Sequence, residues 1–312
     1  MLAIVIPYFK LQFFEETLQS LADQTNKDFT VYIGDDASPQ DCRPLLQQFE
    51  GKFSFVYKRF ETNLGSTSLT QQWHRCVDLI ADDTIQWVML LGDDDILGLN
   101  VVEDFFKYYS HFNQKSSVIR FATILLNQIE NYESPIYANP VFENGFDFLN
   151  RKLNGETRSS LSEFIFNFEK LRQIGFTDYA SAFYSDDRII LDLSIDNTIY
   201  SINDSVVIIR VFEESLSGKA SLNFHNLSLA RFDFYTFIIN TYYKYLNTTS
   251  RKKIIDFLIG YGLTYKILKI RDFVKFYSLS FFLLDFNFFI KINKKILRLK
   301  LNIKREKSMF KI

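Results

Sequence analysis

Three consecutive carboxylates, Asp93, Asp94 and Asp95, follow the apolar run 85–91 in this chain, with only Gly92 between them. The run reads as a buried strand bounded by the glycine. Carboxylates crowded at one strand end repel each other and lose solvation if partly buried, so the pattern asks for a positive partner. Their hard oxygens suit Mg2+ or Mn2+, which usually take substrate phosphates as further ligands. A solvated acidic loop is the other reading of the triplet alone.

Neighbouring elements bring similar residues to similar places. Residues 2–6 read as a short apolar strand ended by Pro7. Residues 29–34 read as a second strand, delivering Asp35 and Asp36 at its carboxyl end, and 53–60 as a third, followed by Asn63. Helical spacing separates them at 13–24, 41–49 and 66–81. Alternation of this kind predicts a mostly parallel sheet with right-handed crossovers. Ligands of such sheets sit beyond the carboxyl strand ends, near a topological switch point. Pro7, Asp35, Asp36, Asn63 and the Asp triplet converge on that rim, which points to a nucleotide site.

Farther on, 101–110 reads as helix and 119–127 as strand, while 128–160 is polar and irregular, with Pro135, Pro140, Gly145 and Gly155. A loop that long inside a compact domain is usually functional. Segment 161–166 is strand-like, 168–174 and 187–193 are helical, and 199–202 and 206–211 read as two late strands. From Ala220 the pattern is helical, over 229–246, 251–270 and 274–301.

A chain of 312 residues accommodates one large α/β domain or a domain with an appendage. The net charge of −1 argues against a nucleic-acid partner. Two cysteines, Cys42 and Cys76, are too few for a disulfide framework and read as reduced thiols of a cytoplasmic protein. His74, His111 and His225 show no zinc-site spacing. The opening apolar run is too short for a signal peptide. Segment 273–290 is apolar but carries Lys275 and Asp285, short of the roughly 20 apolar residues a spanning helix needs. Residues 291–312 hold nine Lys and Arg against Glu306 alone, a net +8 that leaves −9 on the rest.

Taken in order, "AIVIPYFK", "QTNKDFTVYIGDDAS", "NLG" and "LGDDDIL" resemble the nucleotide-binding half of the family 2 glycosyltransferases of the GT-A fold. The later "SEFIFNFEKLRQIGF", "SDDRIILDL" and "VVIIRVFEESLSG" resemble their acceptor half. The resemblance implies an α/β GT-A domain over 1–218, with 1–100 as the nucleotide-sugar half and 101–218 as the acceptor half. Residues 219–312 would form a helical C-terminal region with a basic amphipathic tail. It implies inverting transfer from a nucleotide sugar, by family habit a UDP-sugar, to a hydroxyl of a growing surface polysaccharide or lipid-linked glycan. In those terms Pro7 turns the backbone toward the donor base, and Asp36 accepts a hydrogen bond from that base. Asp35 and Asn63 belong to the same rim. Asp93 meets the ribose, Asp94 ligates Mn2+ or Mg2+ on the diphosphate, and Asp95 is a second ligand or a capping residue. An N-cap for the following helix is the other reading of Asp36.

The family's general base is an Asp at the start of a late helix, and Asp186 and Asp187 both lie there. Setting Ile189, Ile190 and Leu191 on apolar positions and Asp192 on a polar one favours Asp186, with Asp187 in contention. One departure stands out: relatives often carry Arg-x-His after the last strand, and here the residues are Arg210-Val211-Phe212. Phe212 cannot ligate, and Arg210 is either a diphosphate contact or part of a structural ion pair. His74, between Trp73 and Cys76, reads as packing. The basic tail reads as an element lying on an anionic bilayer, each basic residue contributing about 1 kcal/mol there, or as a solvated terminus. Docking on the inner face of the plasma membrane would suit a cytoplasmic enzyme extending a lipid-linked glycan. Two other functions fit part of the pattern. A sugar nucleotidyltransferase wants a Gly- and basic-rich loop that Pro7-Tyr8-Phe9-Lys10 lacks, and a degenerate GT-A-fold binding protein is motivated by Phe212.

Overall fold

The computed structural model of the protein describes residues 1–216, 218 and 223–309, with side chains described as far as residue 299. The first half alternates as the sequence pattern requires: β1 (Leu2–Tyr8), α1 (Phe14–Ala22), β2 (Phe29–Asp35), α2 (Arg43–Gln47), β3 (Ser54–Arg59), α3 (Leu69–Val77) and β4 (Trp87–Leu90). These strands lie in the order β3-β2-β1-β4 and are parallel. β2 and β3 fall on one flank of β1 and β4 on the other, so the chain reverses direction across the sheet at β1. The crevice beyond β1 and β4 is therefore the switch point where such folds bind ligands. β1 continues through Pro7, beyond the expected end at Ile6. Its pairing with β4 stops at Val5, so past that point β2 is its only ladder partner and a missing N–H is tolerated.

The second half comprises β5 (Ile96–Leu97), α4 (Val101–Lys107), α5 (Tyr109–Phe112), β6 (Ser116–Asn127), β7 (Tyr132–Glu133), β8 (Phe142–Asn144), α6 (Gly145–Asn154), β9 (Phe164–Asn167), α7 (Phe168–Ile174), α8 (Ser185–Ser194) and β10 (Thr198–Val211). β6 and β10 are parallel, while β9 runs antiparallel between β4 and β6 and fuses both halves into one ten-stranded sheet. The two late strands expected at 199–202 and 206–211 are one strand, β10, whose register slips between Ile202 and Val206. Within that slip Asn203 bonds the backbone of Asn139, at 3.0 and 2.8 Å. The segment expected to be irregular, 128–160, contains β7, β8 and the ten-residue helix α6.

Side-chain alternation along β1 divides the core. Leu2, Ile4 and Ile6 face one layer with Phe14, Leu18 and Phe105, while Ala3 and Val5 face the other with Trp73, Ile189 and Ile190. A third apolar cluster joins Leu149 of α6 and Leu191 of α8 to the C-terminal helices α9 (Phe224–Tyr242), α10 (Thr248–Thr264), α11 (Ile270–Phe282) and α12 (Phe286–Met309). The single helix expected over 274–301 is broken. Leu284 takes a left-handed conformation (φ 52°), and Asp285 accepts the Phe288 N–H at 2.9 Å to start α12. The start of the helical region at Ala220 and the basic side chains from Lys300 onward lie outside the described residues. Among the described residues, no helix is long and apolar enough to cross a membrane.

Candidate active site

Beyond the carboxyl ends of β1, β2 and β4 lies a cavity of about 370 Å³ whose walls include Pro7, Lys10, Asp36, Asn63, Asp93 and Asp94. Asp36 stands just past β2, and its carboxylate accepts the N–H groups of Leu64 and Gly65 at 2.7 and 2.9 Å and pairs with Arg75. It therefore pins the Asn63-Leu64-Gly65 loop across the mouth of the sheet. A Cβ on Gly65 would lie 2.6 Å from the Asp36 carboxylate, so only glycine permits the approach. The N-cap reading of Asp36 does not hold, since α2 begins only after Cys42. Asn63 turns its side-chain oxygen onto the Ser66 N–H at 2.8 Å. Asp35 is buried behind this wall, accepting from Ser38 N–H (2.8 Å), Tyr57 hydroxyl (2.6 Å) and Arg59 (2.7 Å), and the cavity walls do not include it.

The three carboxylates after β4 have different surroundings. Asp93 accepts the N–H groups of Phe9 and Lys10, both at 2.7 Å, and so fixes the turn after β1. Asp95 is buried, accepting the Arg210 N–H at 2.9 Å and the Ser162 hydroxyl. Asp94 lines this cavity and the next one, and its side-chain contact is Lys10 Nζ at 3.5 Å. Burial first, then the Asp94 charge, raises the carboxyls of Asp93 and Asp95 well above the usual carboxylate range. An added cation would relieve both effects. At Gly92 a Cβ would meet Asp94 Oδ1 at 2.7 Å and Asp95 Oδ2 at 2.9 Å, so a side chain there would have to displace these carboxylates. No group of three or more His, Cys, Asp or Glu forms a metal cage among the described residues. Asp94, with Asp95 behind it, instead fits an ion held by one or two carboxylates and completed by substrate phosphates.

The second cavity, about 320 Å³, shares Trp73, Asp94, Leu161 and Leu216 with the first and extends to Asp186 and Asp187 in the first turn of α8. The two aspartates differ in their partners. Asp187 is buried, ion-paired with Lys152 of α6 and reached by the Ser159 hydroxyl at 3.2 Å. Among the described residues no side chain donates to Asp186, whose carboxyl is pushed up to about 6 by burial and then by the Asp187 charge. Arg210 also borders this cavity, but its guanidinium reaches Glu16 at 2.5 Å, the Asp94 carbonyl at 3.0 Å and the Phe13 ring face at 4.0 Å. The ion-pair reading of Arg210 is the one the geometry shows: it braces the carboxylate turn.

The segment leading into α8 is strained. Ser181, Ala182 and Tyr184 all have positive φ (53°, 57° and 66°), at a cost of order 1–3 kcal/mol each. Helix α9 holds them there. Asn226 donates to the Ser181 hydroxyl at 2.9 Å, Arg231 donates to the Tyr184 hydroxyl at 2.7 Å, and Tyr184 stacks on Phe234. The C-terminal helices thus help to form this wall, to which Leu227 also belongs.

Sequence reading missed Lys10, Arg75, Lys152 and Ser162 as members of the site. The α6 signal was present in Asn144, which caps the Phe146 and Asp147 N–H groups, and in Gly155 (φ 78°) at the other end. His74 does pack as read, its ring accepting the Phe176 N–H at 3.1 Å.

Known proteins can be set beside this geometry. No curated protein matches the sequence. Among solved structures, S. aureus TarS 1–349 in complex with UDP-GlcNAc aligns with a TM-score of 0.60 at 17% identity, over 89% of this chain and 79% of that one. The same protein with UDP gives 0.56 at 16% identity, over 89% and 78%. A longer S. aureus TarS gives 0.58 at 16% identity, over 87% of this chain and 46% of that one. At such identities the likeness speaks for the fold, which is GT-A. The sequence profile described as glycosyl transferase family 2 matches residues 3–185, from β1 to the first residue of α8. That span takes in Asp36, the Asp93–Asp95 turn and the strand β9 that joins the halves, and on its strength the chain belongs to glycosyl transferase family 2 and is a nucleotide-sugar glycosyltransferase.

Proposed function

We propose that the enzyme moves a sugar from a UDP-sugar, with inversion, to a hydroxyl of a growing surface polysaccharide or lipid-linked glycan. The observation that carries this reading is Asp186, a partly buried carboxylate with no side-chain donor among the described residues, in a cavity continuous at Asp94 with the cavity over the switch point. A UDP donor is supported by the S. aureus TarS complexes with UDP-GlcNAc and UDP. The base lies against the wall formed by Pro7, Asp36 and Asn63, Asp93 meets the ribose, and the diphosphate extends to Asp94. Asp186 takes the proton of the acceptor hydroxyl, whose oxygen attacks the anomeric carbon from the face opposite the diphosphate. The bond from that carbon to the diphosphate oxygen breaks, and its electron pair leaves on the nucleoside diphosphate. Asp94, with Asp95, would hold a divalent ion, which when bound would supply Lewis-acid stabilisation of that departing charge. Asp187 serves as the Lys152-paired carboxylate that fixes the helix start, and Asp35 and Arg210 act one layer back as braces. In this reading 1–218 is the catalytic domain, and 219–312 a helical region whose α9 completes the acceptor wall.

A thermal-shift panel tests the donor assignment. UDP with Mn2+ should raise the melting temperature, with about 2.7 kcal/mol of stabilisation at a hundredfold excess over the dissociation constant. GDP and CDP should not, and Asp94→Ala should lose the metal-dependent part. A shift with GDP instead, or no shift in a folded sample, would overturn the UDP assignment.

We also propose that the C-terminal helices dock on an anionic bilayer at the inner face of the plasma membrane. Phe282, Leu284 and Phe286, at the α11–α12 turn, are 69%, 90% and 75% exposed, and Lys291, Lys294 and Arg298 are exposed along α12. An apolar turn beside a basic stripe fits the boundary of an anionic membrane. The full chain should float with vesicles containing phosphatidylglycerol and stay behind with phosphatidylcholine alone. Leu284→Ser combined with Phe286→Ser should abolish flotation. Equal flotation with both vesicle types, or none with either, would contradict docking by charge.

A further inference from the structure

The cavity over the switch point has one basic residue among the described residues of its wall, Lys10, and none of the roles above uses it. Its backbone is fixed, since its own N–H and that of Phe9 both donate to Asp93 at 2.7 Å. Its ammonium lies 3.5 Å from Asp94 Oδ2 and 4.5 Å from the centroid of the Phe212 ring. Phe212 is a rigid support, buried and packed edge-on against Phe13 at 4.9 Å. An ammonium over an aromatic face is held electrostatically without using up its hydrogen bonds. The partly exposed pair with Asp94 is long and weak enough to yield to a better acceptor. The place where Phe212 offers no ligand is thus the place where Lys10 puts a positive charge.

We propose that Lys10 binds the diphosphate of the donor and stabilises the charge of the departing nucleoside diphosphate, with Phe212 as the residue that positions it. When the bond between the anomeric carbon and the diphosphate oxygen breaks, the electron pair comes to rest on that oxygen. Lys10 meets it with a charge-assisted hydrogen bond, and no proton changes hands. The proposal rests on the donor assignment above, which places the diphosphate at Asp94. It makes the Phe212 departure a change in the kind of cation that serves the diphosphate.

The test compares UDP with uridine, which lacks the diphosphate, by calorimetry or NMR titration without added metal, on the full chain. Lys10→Met should weaken UDP about 10- to 100-fold, the range for a hydrogen bond between charged groups. Uridine affinity should stay within about twofold, because the base wall is untouched. Lys10→Arg should keep most of the UDP affinity. Turnover with Mn2+ present should also fall in Lys10→Met, chiefly in kcat, because the charge it meets grows as the bond breaks. Unchanged UDP and uridine affinities in Lys10→Met overturn the proposal and leave the donor assignment standing. Failure of the unmutated protein to bind UDP without metal overturns the proposal, and failure to bind it with Mn2+ as well overturns the donor assignment too.

Discussion

Asp186→Asn is expected to lower kcat about 10³-fold while leaving UDP affinity unchanged, the loss typical of a removed general base. The amide keeps the size of the side chain but cannot take a proton. The same change should raise the melting temperature near neutral pH. Burial and the neighbouring Asp187 hold the Asp186 carboxyl up at about 6 in the fold, against an ordinary value of 3.8. A group with a raised folded pKa contributes its stability below the unfolded value and loses it as pH rises through the folded one. Near neutrality the wild type therefore carries an ionised carboxylate that the fold disfavours, and the Asn variant does not. In the wild type kcat/KM should climb with pH through about 6 and then level as Asp186 ionises. Lys152 opposes the rise in the Asp186 pKa. Lys152→Met should accordingly move this limb to higher pH, an effect that simple loosening of α6 would not produce. Asp187→Asn strands the Lys152 ammonium, which should cost stability, and removes the charge that raises Asp186, which should move the limb to lower pH. A limb that stays put in Lys152→Met, or an active Asp186→Asn, would remove Asp186 from the role of base.

What could be read in advance followed the range of the interactions. The rim of Pro7, Asp36, Asn63 and Asp93–Asp95 was legible because each lies a residue or two beyond a local apolar run, and parallel topology brings strand ends together. Helix α6 was hidden by a polar composition, and its caps, Asn144 and Gly155, were the overlooked signal. The break at Leu284 has one local signal, Asp285, an N-cap carboxylate, because the left-handed residue itself is a leucine in an apolar run. The direction of β9 depends on how the chain returns through 155–163, which periodicity does not encode. Helix register favours Asp186 over Asp187 only by the apolar positions it leaves to Ile189, Ile190 and Leu191. The contact that separates them, Lys152 on Asp187, spans 35 residues and needs α6 in place first. Arg75 on Asp36 and Lys10 on Asp94 are of the same long-range kind.

The largest effect on stability should come from a pair that touches neither cavity. Arg120 of β6 and Glu163, just ahead of β9, are both fully buried, with Arg120 Nε donating to Glu163 at 2.8 Å. The guanidinium lies over the rings of both Phe148 and Phe164, at 5.2 and 5.4 Å. Arg158 approaches the other oxygen of Glu163 at 3.5 Å, and Glu143 pairs with Arg151 at 2.8 Å. Removing one partner leaves an uncompensated charge in a fully buried site, so Glu163→Ala and Arg120→Met should each cost about 3–5 kcal/mol in urea unfolding. Removing both with apolar residues, as in Arg120→Met with Glu163→Leu, should recover much of that loss, because no uncompensated charge remains. The pair also bears on catalysis through its neighbour. Ser162 accepts the Gly92 N–H at 3.0 Å and donates to Asp95, so the residue beside Glu163 fastens the carboxylate turn to the strand that joins the two halves. The double variant should therefore be nearly as stable as the wild type yet weaker in metal-dependent UDP binding, if the ion pair sets the position of Ser162. Full UDP binding in a stable double variant would instead show that β9 pairing alone holds that turn, and a cost below about 1 kcal/mol for Glu163→Ala would place the cluster in the range of solvent-exposed pairs.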